Sequence, residues 1–359
     1  MKKILYVAPN INVKGGISTV IKGYLSTELS KRHKILLVSS HVDGTKVKKL
    51  AQAVLGLCNM FVHLAFTKID IVHIHGSDIV SSTRKYLYFR LAKFFGPKII
   101  YHFHGALFLD QYMTASATRK RIFRELFETS DLVICLSGSW ATSVLSIAPR
   151  ATTTVVKNAV PMPVLSEPSA APLGPVRITF LGLIGERKGV FDLIKAVKMI
   201  YNNGLNIHLS IAGNGETKKL REEIVKDGLE EIVEFLGWIN DRVRDTLLRK
   251  TDIFVLPSYG EGMPMSILEA MSYAIPVIST RVGGIPEVVV HEETGYLIEP
   301  GDLKDLYVRL VTLVKDESKR RCMGDKGRRT IEANYDLHKT TKIIEHIYDS
   351  LCEEKPAGL

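Results

Sequence analysis

Apolar positions along the chain repeat with two periods. Short runs that are almost wholly apolar or β-branched predict buried strands at Lys3–Ala8, Ile35–Ser39, Ile69–His75, Lys98–Phe103, Leu132–Leu136 and Thr153–Val156. Between them the repeat lengthens to that of a helix. Gly16–Ser30 places Ile17, Val20, Ile21, Tyr24, Leu25 and Leu29 on one face. The strand–helix alternation predicts a doubly wound parallel sheet.

The pattern then stops. Asn158 to Pro175 holds Pro161, Pro163, Pro168, Pro172 and Pro175 with Ser and Ala between, and has neither period. It restarts with strands at Arg177–Leu181, Ile207–Ala212, Val233–Leu236, Ile253–Pro257 and Pro276–Ser279, and Asp336–Leu351 closes the chain as a helix. The expected organisation is an α/β protein with two Rossmann-like doubly wound domains facing across a cleft. Residues 1–160 form the first domain, 161–175 the linker and 176–335 the second. Residues 336–359 form a terminal helix placed to pack back on the first. In open sheets of this kind ligands gather at the carboxyl ends of strands.

Charge divides at the linker. Up to Leu165 there are 22 Lys/Arg against 8 Asp/Glu; from Ser166 onward there are 26 against 30. The first half therefore points to an anionic partner, although a solvated basic surface has the same composition. No nucleic-acid recognition motif accompanies it. Cys58, Cys135, Cys322 and Cys352 are too scattered for zinc or redox spacing, which predicts free thiols in a reducing compartment. Lys2–Ala8 is broken by Pro9 too early for a signal peptide. The longest apolar stretch, Ala51–Phe66, reads as short of a membrane span.

Candidate chemistry lies in the turns after strands. Lys14-Gly15-Gly16 joins the first strand to the first helix, where backbone N–H groups and the helix terminus suit a phosphate. Phe180-Leu-Gly-Leu-Ile-Gly-Glu-Arg-Lys-Gly189 repeats the device and adds Arg187 and Lys188. Ala212-Gly213-Asn-Gly215 is a further glycine turn. Glu261-Gly262-Met263-Pro264-Met-Ser-Ile-Leu-Glu269 puts one carboxylate before a helix start and one inside it. Singly, each feature also fits a tight turn or a capped surface helix.

Taken together, Pro257–Met271 resembles the paired-glutamate signature of family 4 retaining glycosyltransferases of GT-B fold. Ala274-Ile-Pro-Val-Ile-Ser-Thr-Arg-Val-Gly-Gly-Ile-Pro-Glu287, Thr294-Gly-Tyr-Leu-Ile298, Phe235-Leu-Gly-Trp238 and Asn158 resemble its flanking segments. The resemblance implies transfer of a sugar from a nucleotide diphosphate sugar to a glycan or lipid-linked hydroxyl in bacterial surface polysaccharide synthesis. It also implies roles. Glu269 would hold the ribose, and Glu261 the hydroxyls of the transferred sugar, with backbone from Gly262, Met263 and the neighbours of Pro264. Lys188, Gly15 and Gly16 would face the diphosphate, Gly213 would line the nucleotide site, and His104 of Tyr101-His-Phe-His104 would meet the donor sugar. The family's usual arginine is replaced by Leu183, which leaves Arg187 as the compensating cation.

The donor would be UDP- or GDP-linked, with no permanently bound cofactor. The absence of any D-x-D triplet gives no reason to invoke a metal. A nucleotide-sugar epimerase of the same fold would use the same sites without needing both glutamates, and a non-catalytic sugar-nucleotide binder would not need all the site residues. The mixed basic–aromatic segments Arg84–Phe95 and Arg119-Lys120-Arg121-Ile-Phe-Arg124 predict peripheral contact of a cytoplasmic enzyme with the inner membrane face.

Overall fold

The computed structural model describes residues 1–105, 108–165 and 174–353, with no side chains for 108–110. Residues 166–173 of the expected linker and 354–359 of the terminal segment lie outside the described residues. The chain divides into two compact units, Met1–Ala159 with Leu337–Leu359, and Val160–Asp336.

The first unit runs β1 (Lys3–Pro9), α1 (Gly16–Leu25), α2 (Leu29–Arg32), β2 (Lys34–His41), α3 (Lys46–Phe66), β3 (Ile71–Gly76), α4 (Ile79–Phe95), β4 (Lys98–Phe103), α5 (Phe108–Met113), α6 (Ala117–Thr129), β5 (Leu132–Cys135), α7 (Gly138–Ile147) and β6 (Thr153–Val155). Its six-stranded sheet has the order β2-β1-β3-β4-β5-β6 and is parallel throughout. Alternate residues divide between the faces. Leu5, Val7, Val72, Ile74, Tyr101 and Phe103 join the core under α3, α4, α6 and α7. Tyr6, His73, His75 and His102 point the other way, where the Tyr6 and His73 side chains meet Tyr348.

The second unit runs β7 (Val176–Leu181), α8 (Val190–Asn202), β8 (Ile207–Ala212), α9 (Thr217–Lys226), β9 (Val233–Gly237), α10 (Asp241–Leu248), β10 (Ile253–Leu256), α11 (Met265–Ser272), β11 (Val277–Thr280), β12 (Gly295–Ile298), α12 (Leu303–Lys315) and α13 (Glu317–Asn334). Its parallel sheet has the order β12-β11-β10-β7-β8-β9. The last helix, α14 (Leu337–Cys352), belongs to the first unit. The doubly wound α/β class read from the sequence holds for both sheets.

Three local readings change. The helix expected over Gly16–Ser30 ends at Leu25, because the Ser26 and Thr27 hydroxyls take the Gly23 and Tyr24 carbonyls at 2.8 Å and turn the chain before α2. The edge strand β12 was not anticipated; it is four residues long and opens on Gly295, so no alternation marks it. The apolar stretch judged short of a span lies in α3. The Thr45 side chain caps this helix at Lys48, so it begins in the lysine turn and reaches 21 residues, long and apolar enough to cross a membrane by length and composition.

Candidate functional site

In the second unit the sequence-predicted residues gather where β7 and β10 end. After β7 the chain makes one 3-10 turn, Glu186–Lys188, and enters α8 through Gly189. Gly189 has φ +70°, and an added Cβ would sit 2.0 Å from the Pro257 carbonyl oxygen. Only glycine lets the two loops touch here. Gly213 serves the same end, since its Cβ would lie 1.8 Å from the Gly182 oxygen. Ile184 N–H donates to Asn214 O at 2.7 Å, which ties the two glycine turns together.

This closeness brings Lys188 onto Glu261. The Lys188 ammonium donates to Glu261 Oε1, and the same oxygen accepts from Ser258 Oγ at 2.7 Å. The two charged side chains are 14% and 6% exposed, so both are largely desolvated and depend on each other. Burial pulls the Lys188 pKa down, and the Glu261 charge opposes it. Arg187, one residue earlier, is exposed and donates to Gly260 O at 2.8 Å, while Tyr259 N–H donates back to Arg187 O. Leu183, in the place of the family's arginine, is exposed and supplies no charge.

Gly262, Met263 and Pro264 form a buried turn, and Gly284 N–H donates to Gly262 O at 2.6 Å. Pro264 is the N-cap of α11, and Glu269 sits in the helix interior. Glu269 is not in contact with Lys188. Its carboxylate lies 3.4 Å from Arg244 of α10, and burial raises its pKa against the pull of that arginine.

In the first unit, Gly15 is the N-cap of α1 and Gly16 its first residue, both exposed, and nothing lies within 4 Å of a Cβ built on Gly15. His104 follows β4. Its N–H donates to Gly76 O at 2.7 Å, and its Nε2 is 3.1 Å from His75 Nδ1. It caps a stack of four histidines from β3 and β4, in which His75 and His102 pair in register. Desolvation drives all four pKa values down, His102 to about 3, so the stack is neutral. Nitrogens of His73, His75 and His102 come within 4.8 Å of one another. The ring of His73 lies nearly parallel to those of His75 and His102, at interplanar angles of 17° and 14°. His73 Nε2 and His102 Nδ1 lie 3.3 Å apart, so these two rings meet edge to edge as hydrogen-bond partners.

Two family models match the chain. The model described as Glycosyltransferase Family 4 matches residues 15–162, and the model described as Glycosyl transferases group 1 matches residues 163–330. The chain belongs to glycosyltransferase family 4.

This family 4 glycosyltransferase is 30% identical over 179 residues to the capsular polysaccharide biosynthesis glycosyltransferase CapM of Staphylococcus aureus, covering 49% of this chain and 47% of that one. It is 36% identical over 170 residues to the N-acetyl-alpha-D-glucosaminyl L-malate synthase of Bacillus anthracis, covering 47% and 44%. It is 31% identical over 181 residues to an Escherichia coli UDP-Gal:alpha-D-GlcNAc-diphosphoundecaprenol alpha-1,3-galactosyltransferase, covering 49% and 46%. The chain thus spans about half the length of the curated relatives it matches. Among solved structures, a sucrose-phosphate synthase of Thermosynechococcus elongatus superposes with TM-score 0.83 at 17% identity, covering 98% of this chain and 99% of that one. HepE of Anabaena, in complex with UDP and glucose, superposes with TM-score 0.78 at 18% identity, covering 98% and 100%. These likenesses show the GT-B fold.

Three residues that contact the candidate site residues escaped the sequence reading. Ser258 had a signal, being three residues before Glu261 at a strand end. His75 had one too, because His73/His75 and His102/His104 alternate on adjacent strands and so share a sheet face. Arg244 had none; it reaches Glu269 only through the packing of α10 beside α11.

Proposed function

We propose that this chain is a retaining, metal-independent glycosyltransferase that moves a sugar from a UDP-sugar to a lipid-linked glycan acceptor in cell-surface polysaccharide synthesis, working at the cytoplasmic face of the membrane. The observation that carries the reading is the Lys188–Glu261–Ser258 cluster, held at the ends of β7 and β10 beside the start of α11. A carboxylate held by a buried ammonium and a hydroxyl is fixed in one orientation, which suits hydroxyl recognition on a sugar ring. Uridine as the base is supported by the UDP bound to HepE and by the donor named for the E. coli relative; the latter also supports a lipid diphosphate acceptor.

Breaking the anomeric C–O bond puts negative charge on the departing diphosphate. Lys188 and Arg187 flank the loop that would receive it, and their attraction grows with that charge, which lowers the barrier more than it tightens ground-state binding. Glu269 would take the ribose hydroxyls, with Arg244 orienting its carboxylate. Retention follows if the acceptor hydroxyl attacks from the face the diphosphate leaves and gives its proton to a phosphate oxygen. No protein nucleophile is assigned.

Calorimetry against UDP, GDP and ADP, followed by turnover of the matching sugar nucleotides in excess EDTA with NMR of the product's anomeric configuration, tests the reading. UDP binding, transfer unaffected by EDTA and a retained configuration are expected. Inversion, or transfer lost in EDTA and restored by Mg²⁺ or Mn²⁺, refutes the mechanism. Conversion of the donor without acceptor identifies an epimerase instead.

A further inference from the structure

The α3 helix is built the wrong way round for a helix that only covers a sheet. Its inward side is narrow: Gly56, Met60 and Leu64 are buried, Gln52 donates to Ser39 O at 2.9 Å, and Ala53 O accepts from Tyr88 Oη at 2.7 Å. Its outward side carries Val47, Leu50, Val54, Leu55, Phe61, Val62 and Phe66, all exposed, with Leu50 at 68% and Phe66 at 81%. Residues 47, 50, 54, 58 and 61 recur at helical spacing, so the exposed apolar residues form a continuous stripe. Phe61 packs edge-on against Phe95, which packs against Phe94, 83% exposed, so the apolar surface extends onto α4. A patch of this extent marks an interaction surface.

The charged side chains on the two helices are all cations, since neither α3 nor α4 contains an Asp or Glu. Lys85 is buried and Arg90 is paired with Glu125, which leaves the start of α3 as the cationic end of the stripe. Lys46, Lys48 and Lys49 are exposed in the first turn of α3, beside Leu50. In α6, Lys120 Nζ donates to Met113 O at 2.9 Å and Arg124 Nε to Ile147 O at 3.1 Å, while Arg119 and Arg121 are exposed without an apolar stripe of this length beside them among the described residues. Because α3 is fastened along its inner side to β2 and α4, it is placed to lie on a bilayer rather than to cross one.

We propose that the outer face of α3, with Phe94 of α4, inserts into the headgroup–acyl boundary of an anionic membrane, with Lys46, Lys48 and Lys49 at the lipid phosphates. The choice of a membrane as partner rests on the lipid-held acceptor of the reading above. Apolar burial would supply adhesion, and the lysine turn would supply preference for negative lipid. Flotation of the full chain with vesicles, in the absence of donor and acceptor, tests it. Binding to phosphatidylglycerol-containing vesicles should exceed binding to pure phosphatidylcholine about tenfold and should fall in about 0.5 M salt. A Leu50→Glu/Val54→Glu/Phe66→Glu variant with unchanged thermal unfolding should lose binding about tenfold or more, and Lys46→Gln/Lys48→Gln/Lys49→Gln should abolish the lipid preference. Wild-type binding by the glutamate variant, or no vesicle binding by the wild type, overturns the proposal. So does a vesicle-free dimer in sedimentation velocity that the glutamate variant dissolves, which would make a second copy the occupant. Loss of transfer to a detergent-dispersed acceptor with vesicle binding intact would strike the functional reading alone.

Discussion

Replacing Lys188 by Met keeps the bulk of the side chain and removes the charge opposite Glu261. The carboxylate is then left 6% exposed, with the Ser258 hydroxyl at 2.7 Å still donating to it. Breaking a buried pair from one side costs roughly 3–5 kcal/mol; Lys188 retains some solvent contact, so about 3 kcal/mol is expected. For a unit of this size that is a fall of about 6–12 °C in its transition, at roughly 2–4 °C per kcal/mol. Glu261→Gln alone should cost less, because the amide can still accept from Ser258. Combining Lys188→Met with Glu261→Gln removes both charges and should restore half or more of the loss. Scanning calorimetry of the four proteins gives the coupling energy. UDP titration of the same set should show about tenfold or greater weakening wherever Lys188 is absent, including in the thermally rescued double variant. Additive stabilities, with coupling under about 0.5 kcal/mol, would refute mutual dependence of the pair. Wild-type UDP affinity in Lys188→Met would remove Lys188 from the diphosphate site.

Glu269→Gln should weaken UDP binding by about tenfold, and Arg244→Ala should weaken it less, since Arg244 acts by orienting the carboxylate; equal and negligible effects in calorimetry would dismiss the ribose assignment. Arg187→Ala should lower kcat at saturating donor while leaving KM within about twofold, because its effect grows with leaving-group charge; near-normal kcat would place the compensating cation elsewhere. The histidine stack makes the first unit acid-sensitive. Burial depresses the pKa values of His73, His75, His102 and His104 below 6.5, among Tyr6, Tyr348 and the buried Lys85, whose own pKa burial lowers to about 7. Below about pH 6.5 the unfolded chain therefore binds protons that the folded one refuses, so the histidines cost no stability above that pH and an increasing amount as pH drops, up to about 1.4 kcal/mol per histidine per pH unit. Thermal unfolding at pH 7 and pH 5 should differ for the wild type and differ less for His73→Phe; a transition independent of pH would refute a neutral stack.

What the sequence disclosed followed the range of the interaction. Strand runs such as Lys98–Phe103 and Ile207–Ala212 coincide with β4 and β8, because a strand buried on both faces is mostly apolar and needs no alternation to stand out. The turns that bring Lys188 to Glu261 were marked by Gly189 and Gly213, whose backbones must pass close to another chain segment. The Arg244–Glu269 pair was not legible, since helix α10 is set against α11 by tertiary packing that leaves no spacing to read. Nor was the exposure of α3. Its stripe of Leu50, Val54 and Phe61 has the period of a core helix, and periodicity cannot say which side is covered. Ser26 and Thr27 ended α1 by side-chain bonds that a period of apolar residues does not register.

The placement of α14 has a consequence in time as well as in space. The first unit has all its strands once Val155 is made, yet the helix that brings Tyr348 to Tyr6 and His73 is encoded after the whole second unit. At ribosomal rates of about 5–20 residues per second, the roughly 180 residues between delay that cover by about 10–35 s. Throughout that interval the tyrosine–histidine face of the nascent sheet stands open while the second unit folds behind it. A chain stalled or clipped before Leu337 would retain Lys188, Glu261 and Glu269 in a complete unit and still present that uncovered face to chaperones and proteases.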